Sequence, residues 1–142
     1  MSTPASEIRP YREADEATVV GLWNVAFPNP TPWNDPSTII ANKLAIQGDL
    51  FLIAELGGEL VGTVMGGYDR HRGSVYHLAV APQDRRSGIG RQLMIGLESL
   101  LVGHGCTKLN LQVRAENREM VDFYLDSGYA VEDRISMGKR IS

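Results

Sequence analysis

The segment Gln83-Asp-Arg-Arg-Ser-Gly-Ile-Gly-Arg91, set between the apolar run Val75–Ala81 and a long stretch of helical periodicity, carries the most legible chemistry in this chain. Small residues at Gly88 and Gly90 let the backbone come close to an anion, so several amide hydrogens converge on it. The helix that begins there adds the positive end of its dipole. Arg85, Arg86 and Arg91 place charge beside the same turn. Such a segment reads as a pocket for a polyphosphate; a plain strand-to-helix turn with surface arginines is the alternative.

The commoner nucleotide motifs do not fit. The pattern G-x-x-x-x-G-K-[ST] is absent, and G-x-G-x-x-G fails because Leu93 stands three after Gly90. Neither an ATPase nor a dinucleotide dehydrogenase is supported. A formal charge of −3, from 14 basic and 17 acidic residues, gives no broad basic footprint and argues against a nucleic-acid partner. Cys106 is the only cysteine, so an internal disulfide is excluded and a small buried apolar role is expected. The three histidines, His71, His77 and His104, lack the spacing of a metal site, and no metal is expected. Met1–Ser6 has neither a charged nor an apolar leader segment, and no apolar run reaches the ~18 residues that span a bilayer. The expectation is a cytoplasmic protein with no membrane partner.

The elements that must position the loop follow from periodicity. Residues Ile8–Tyr11 read as a first strand, and Asp15 as the N-cap of a helix carrying Val19, Val20, Trp23 and Phe27. Pro28, Pro30 and Pro32 end it. Asp35-Pro36 starts a second helix with Ile40 and Leu44 as its stripe and Gly48 as its stop. Leu50–Ala54 and Leu60–Met65 form a hairpin across Gly57-Gly58. After the loop Asp69–Gly73, the apolar strand Ser74–Val80 is expected to be central and buried on both faces.

From Gly88 to His104 one helix face carries Ile89, Leu93, Met94, Leu97, Leu100 and Leu101, and Gly105 closes it. Leu109–Val113 follows as a strand parallel to Ser74–Val80. Asn117 opens a helix bearing Met120, Val121 and Tyr124, stopped by Gly128, and Tyr129–Glu132 and Ile135–Lys139 read as closing strands. The order βααβββαβαββ is a mixed α/β pattern, and residues 1–142 are expected to form a single domain.

Arg85-x-x-Gly88-x-Gly90 between a strand and a long helix resembles the GNAT superfamily of acetyl-CoA-dependent N-acetyltransferases. The resemblance covers almost the whole chain. Leu78-Ala-Val-Ala-Pro82 is similar to that family's strand before the loop, and Asn117 with Tyr124 matches its later motif. Pro32-Trp-Asn-Asp-Pro36, Gly62–Asp69 and Gly138-Lys-Arg-Ile141 look like the bacterial YpeA-type members. The resemblance implies a mostly antiparallel, twisted mixed sheet of about seven strands, helices on both faces, and a splayed central strand pair.

It also implies roles. The amides from Arg86 through Ser87, Gly88 and Ile89 to Gly90 would hold the pyrophosphate of coenzyme A, with Arg85 leading the motif and Arg91 close by. The pantetheine arm would hydrogen-bond the exposed backbone of Leu78, Ala79 and Val80, which splays from Leu111–Val113. Asn117 would contact the same cosubstrate, with helix capping a compatible alternative. Tyr124 would donate a proton or hydrogen bond to the departing thiolate, unless it is simply an aromatic of the core.

Family members that acetylate protein N-termini often carry a glutamate five positions before the asparagine, but here that position is Gln112, which cannot accept a proton. A water relay, a base elsewhere or a partly neutral amine would serve instead. Trp33 and Asn34, in the loop that borders the acceptor in this superfamily, are candidates for the acceptor site, as are Asp69 and His71 in the loop after the third strand. The implied reaction moves an acetyl group from acetyl-CoA to a primary amine through a ternary complex. The amine belongs to a small molecule or amino-acid-like metabolite, or alternatively to a peptide or a protein N-terminus or lysine; a non-catalytic acyl-CoA-binding module and a homodimer are the further readings.

Overall fold

The structure, a computed structural model, describes residues 6–142. They divide into two compact units, one ending at Leu111 and one spanning Gln112–Ser142. The first unit is built on a five-stranded sheet in the order β1-β2-β3-β4-β5. Its strands are β1 (Glu7–Pro10), β2 (Phe51–Leu56), β3 (Glu59–Tyr68), β4 (Gly73–Val80) and β5 (Leu109–Asn110). Its helices are α1 (Glu16–Ala26), α2 (Pro36–Gln47) and α3 (Ile89–Gly103), and the second unit holds α4 (Arg118–Asp126). Among the described residues, no helix is long and apolar enough to cross a membrane.

β1 through β4 pair antiparallel, and β5 joins β4 in parallel across the α3 crossover, as the spacing predicts. The hairpin between β2 and β3 turns on Gly57 and Gly58, both at positive φ (61° and 83°), the conformation a two-residue loop demands. On β3 alternate residues face opposite layers. Thr63 and Met65 look toward α1 and α2, where Trp23, Ile40, Phe51 and Ile53 make a closed core. Gly62 and Gly66 look toward α3, whose Leu93 and Leu97 come so close that a Cβ at Gly66 would lie 2.5 Å from Leu97 Cδ1. Helices therefore cover both faces of the sheet.

The capping signals divide. Asp35 caps α2 as its sequence predicts, its carboxylate accepting from the Thr38 N–H at 3.1 Å and from the Thr38 hydroxyl at 2.9 Å. Asp15 stands at the N-cap of α1 without bonding that helix, because its carboxylate is committed to Arg9 at 2.8 Å and to the Arg12 N–H at 2.8 Å. Leu44, expected in the α2 stripe, is 47% exposed, and Phe27, expected within α1, stands at its C-cap.

Three expectations about strands are corrected. The strand predicted over Leu109–Val113 pairs with β4 only at Gly73↔Leu109 and Ser74↔Asn110. Beyond Ser74, β4 has no partner on that side among the described residues, so it is interior to the sheet at one end and a free edge at the other. Its expected burial on both faces fails for the same reason, with Tyr76 53% exposed.

The sheet also has five strands and not about seven, because Tyr129–Glu132 and Ile135–Lys139 join no ladder. Their alternation gives each an apolar side, but a strand exists only with a neighbour to take its backbone bonds. Val131, Ile135 and Met137 are 82%, 89% and 90% exposed.

One irregularity is placed where β4 becomes a free edge. Thr63 faces Ala79 and Met65 faces Tyr76, so His77 and Leu78 together oppose the single residue Val64. This is a β-bulge, and His77 takes the left-handed backbone conformation it needs, with φ 52°. Bulging puts two consecutive side chains on one face. Tyr76 lies beside Gly67 on the α2 side, and His77 lies against Trp23 and Phe27 from α1.

Candidate active site

At the C-terminal end of β4 the chain passes a short 3-10 turn, Pro82–Asp84, and reaches α3 through Arg85–Gly88. Two residues of this connection hold positive φ: Arg86 at 63° and Gly88, the N-cap of α3, at 87°. Gly88 accepts that conformation without strain; for Arg86 it is uncommon. The pair of reversals folds the backbone back on itself at the start of a 15-residue helix. Ser87 secures the turn by donating its hydroxyl proton to the Asp84 carbonyl, and Ile89, 2% exposed, anchors the first turn of α3.

This leaves a row of donors open. None of the described backbone hydrogen bonds uses the N–H of Arg86, Ser87, Gly88, Ile89 or Gly90. A virtual Cβ on Gly88 meets nothing within 4 Å, so the space before the helix is clear. Unbonded amides, a helix dipole and open space suit the diphosphate of a carrier such as coenzyme A. The side chains add cations: Arg85 lies exposed with its Nε donating to the Val80 carbonyl at 3.3 Å, and Arg86 is exposed with no ion pair to any described residue. Arg91 is exposed on the first turn of α3.

Leu78, Ala79 and Val80 carry the open edge from the bulge to this turn. Ala79 is buried, while Leu78 and Val80 are half-buried. An unpaired edge of this kind is a ready template for an extended, amide-bearing ligand.

In the second unit, Asn117 caps α4 through its side-chain oxygen, which accepts from the Met120 N–H at 3.3 Å. Seven residues on, Tyr124 is 7% exposed and packs edge-on against Phe123 at 5.0 Å and Tyr129 at 5.4 Å. Its hydroxyl makes no hydrogen bond to any described residue. Burial pushes the Tyr124 phenol up to about 12, so it stays protonated throughout the neutral range. The Gln112 amide donates to the Ser136 hydroxyl.

The acceptor candidates scatter. Trp33 and Asn34 share a 3-10 turn before α2, and Trp33 is 54% exposed. Asp69 is spent on its own turn, accepting from the His71 and Arg72 N–H groups at 2.8 and 2.7 Å, and these bonds hold its carboxyl below the ordinary range. His71 belongs to that turn, at the opposite end of the 8-residue β4 from the glycine loop. At roughly 3.3 Å per residue the two ends are about 25 Å apart. His77, at the bulge between them, has the setting that spacing alone does not reveal.

A family model described as the acetyltransferase (GNAT) family matches residues 17–129. An acetyltransferase from Pectobacterium atrosepticum is 45% identical over 135 residues, covering 95% of each chain. One from Yersinia enterocolitica is 43% identical over the same span and coverage. Among solved structures, an aminoglycoside N-acetyltransferase in complex with coenzyme A superposes with a TM-score of 0.81 at 17% identity, covering 99% of this chain and 98% of that one. Ard1 from Thermoplasma volcanium gives 0.79 at 24% identity, with 90% and 84% covered. At these identities the two structures speak to the fold. The matched stretch, the acetyltransferase relatives and the glycine turn on a free β4 edge agree, and the chain is an acyltransferase belonging to the acetyltransferase (GNAT) family.

Proposed function

We propose that this enzyme transfers the acetyl group of acetyl-CoA to the primary amine of a small molecule, by direct attack within a ternary complex. The open row of amides from Arg86 to Gly90 carries this reading. That row would hold the diphosphate, Arg85, Arg86 and Arg91 would add charge, and the backbone of Leu78, Ala79 and Val80 would take the amides of the pantetheine arm. Acetyl-CoA supplies an activated acyl carbon and a sulfur leaving group. Because the family match spans residues 17–129, both units are taken as parts of one acetyltransferase domain.

Tyr124 is the donor proposed for the leaving sulfur. A phenol near 12 is a weaker acid than a thiol at ~8.5, so complete proton transfer to the thiolate runs uphill. A hydrogen bond that strengthens as charge builds on sulfur suits it better, and its partnerless hydroxyl leaves it available for that bond. Asn117, already a helix cap, has a second oxygen lone pair and two amide hydrogens for the cosubstrate. Gln112, bonded to Ser136 and unable to take a proton, supports an acceptor other than the protein N-termini served by a glutamate there. The aminoglycoside N-acetyltransferase among the fold neighbours suggests an aminoglycoside as one acceptor to include in a test.

The test pairs binding with turnover. Acetyl-CoA should raise the thermal midpoint of the protein, and a panel of small amines should release free thiol from it. Absence of thermal protection removes the proposed ligand; protection with a silent panel of amines and peptides makes the chain an acyl-CoA-binding module.

A further inference from the structure

His77 has a setting that its place in an apolar strand does not require. The bulge opposite Val64 holds it at φ 52°, in a conformation that is uncommon for any residue but glycine. Its carbonyl accepts from the Thr63 hydroxyl at 2.9 Å, and the Thr63 oxygen in turn accepts the Trp23 indole N–H at 2.9 Å. Its ring lies 4.5 Å from the Trp23 ring and 5.2 Å, edge-on, from Phe27. Backbone and ring are thus held from two sides, yet the Nδ1 atom is buried with no hydrogen-bond partner. A buried polar atom left open in an otherwise fastened side chain costs free energy, and that calls for an explanation.

The position along β4 gives the ring a use. His77 lies three residues beyond the last β4–β5 pair and immediately before Leu78, the first residue of the proposed pantetheine edge. A carrier whose diphosphate sits at residues 86–90 and whose arm runs back along this edge brings its acyl end toward the bulge. We infer that His77 receives the proton of the acceptor amine at Nε2, its imidazole standing on the α1 face of the bulge with Nδ1 turned inward.

This inference rests on the acetyl-transfer reading above and fills the role that Gln112 cannot. The amine lone pair forms the N–C bond to the acyl carbon, the C–S bond breaks with its electron pair leaving on sulfur, and the proton lost by nitrogen goes to the imidazole. The sulfur takes its own proton from Tyr124 or water. Burial holds the imidazole below its ordinary value, so it is neutral and ready to accept at pH 7. The elements packed on it add no charge: α1 presents Trp23 and Phe27, and β3 presents Thr63 and Val64.

Two substitutions separate this role from packing. His77→Phe keeps an aromatic ring against Trp23 and Phe27 without either nitrogen, and His77→Asn keeps a residue that tolerates positive φ. The expectation is that acetyl-CoA still protects both variants against heat, that thiol release with an amine falls by about 100-fold or more, and that the acid limb of the wild-type rate profile disappears. A folded His77→Phe or His77→Asn enzyme with wild-type rate and pH profile overturns the inference and leaves the acetyl-transfer reading standing. Should neither variant fold, NMR titration of His77 in the wild-type enzyme decides. Agreement between the ring's own titration and the acid limb supports the inference, and disagreement overturns it. A wild-type protein that acetyl-CoA does not protect and that releases no thiol defeats both.

Discussion

Arg9 and Arg86 carry the same charge within the same unit, yet Arg9 is clamped between two carboxylates while Arg86 makes no ion pair to any described residue. Arg9 donates to both oxygens of Asp15 at 2.8 Å and to Glu55 at 2.5 Å, and its side chain is 14% exposed. It ties β1 to β2 and to the start of α1. Arg86 protrudes from a turn held at φ 63° beside five open amides. A charge that serves the fold is neutralised inside the fold; the charge proposed here for a ligand stays open.

The comparison breaks most visibly at Arg9. Arg9→Met would leave Asp15 and Glu55 as unpaired, half-covered carboxylates, at a cost of about 3 kcal/mol in unfolding free energy. Chemical denaturation should record that loss while the affinity for acetyl-CoA stays unchanged. The same knot has a pH signature. Its hydrogen bond from Arg9 holds the Asp15 carboxyl below the ordinary 3.8 despite partial burial. The folded state therefore binds that proton less readily than the unfolded one, and the stabilisation is complete only well above 3.8 and lost as pH falls through the lower folded value. Asp15→Asn should lower stability at neutral pH and flatten its decline in acid, as measured by denaturation at a series of pH values.

At Gly88 the order of effects reverses. Valine there must adopt φ 87° and narrows the space over the amides, so acetyl-CoA affinity should fall by about 30-fold, or ~2 kcal/mol. The backbone strain costs stability by a further ~1 kcal/mol. Calorimetric titration beside a melting curve separates the two terms; unchanged affinity would remove the turn as the anion site.

These two sites also differ in how far the sequence exposes them. Gly88, Gly90 and the arginines lie within nine residues of one another, and a turn followed by a helix is dictated locally, as are the Gly57-Gly58 hairpin and the Asp35-Pro36 cap. The Arg9 knot joins residues 46 positions apart and becomes visible only once β1 and β2 are in register. The bulge at His77 is likewise a property of a ladder: it exists because β3 and β4 slip by one residue, and nothing in Val75–Val80 marks it. The strands proposed over Tyr129–Glu132 and Ile135–Lys139 failed from the opposite cause, since alternation describes one strand and pairing needs two.

A smaller effect sharpens the contrast at Arg86 itself. Arg86→Asn removes the charge and supplies a side chain at home in the left-handed region, so stability should hold within ~0.5 kcal/mol. Acetyl-CoA binding should weaken by about threefold to tenfold, and its salt dependence should lessen, because an exposed cation acts through a screened field. Affinity measured at two ionic strengths tests both statements, and loss of stability without loss of affinity would place Arg86 with Arg9.

The smallest effect belongs to a third kind of charged site. Asp49, in the turn before β2, and His104, at the C-cap of α3, meet at 2.7 Å with side chains 57% and 45% exposed. Water competes for both partners, and ordering two solvated side chains costs about as much as their attraction returns. His104→Ala should therefore shift unfolding by less than ~0.5 kcal/mol and leave acetyl-CoA binding untouched. The distance alone ranks this pair with the Arg9 knot. A loss near that of Arg9→Met would show that contact geometry sets the strength of these ion pairs, and a negligible loss would show that burial does.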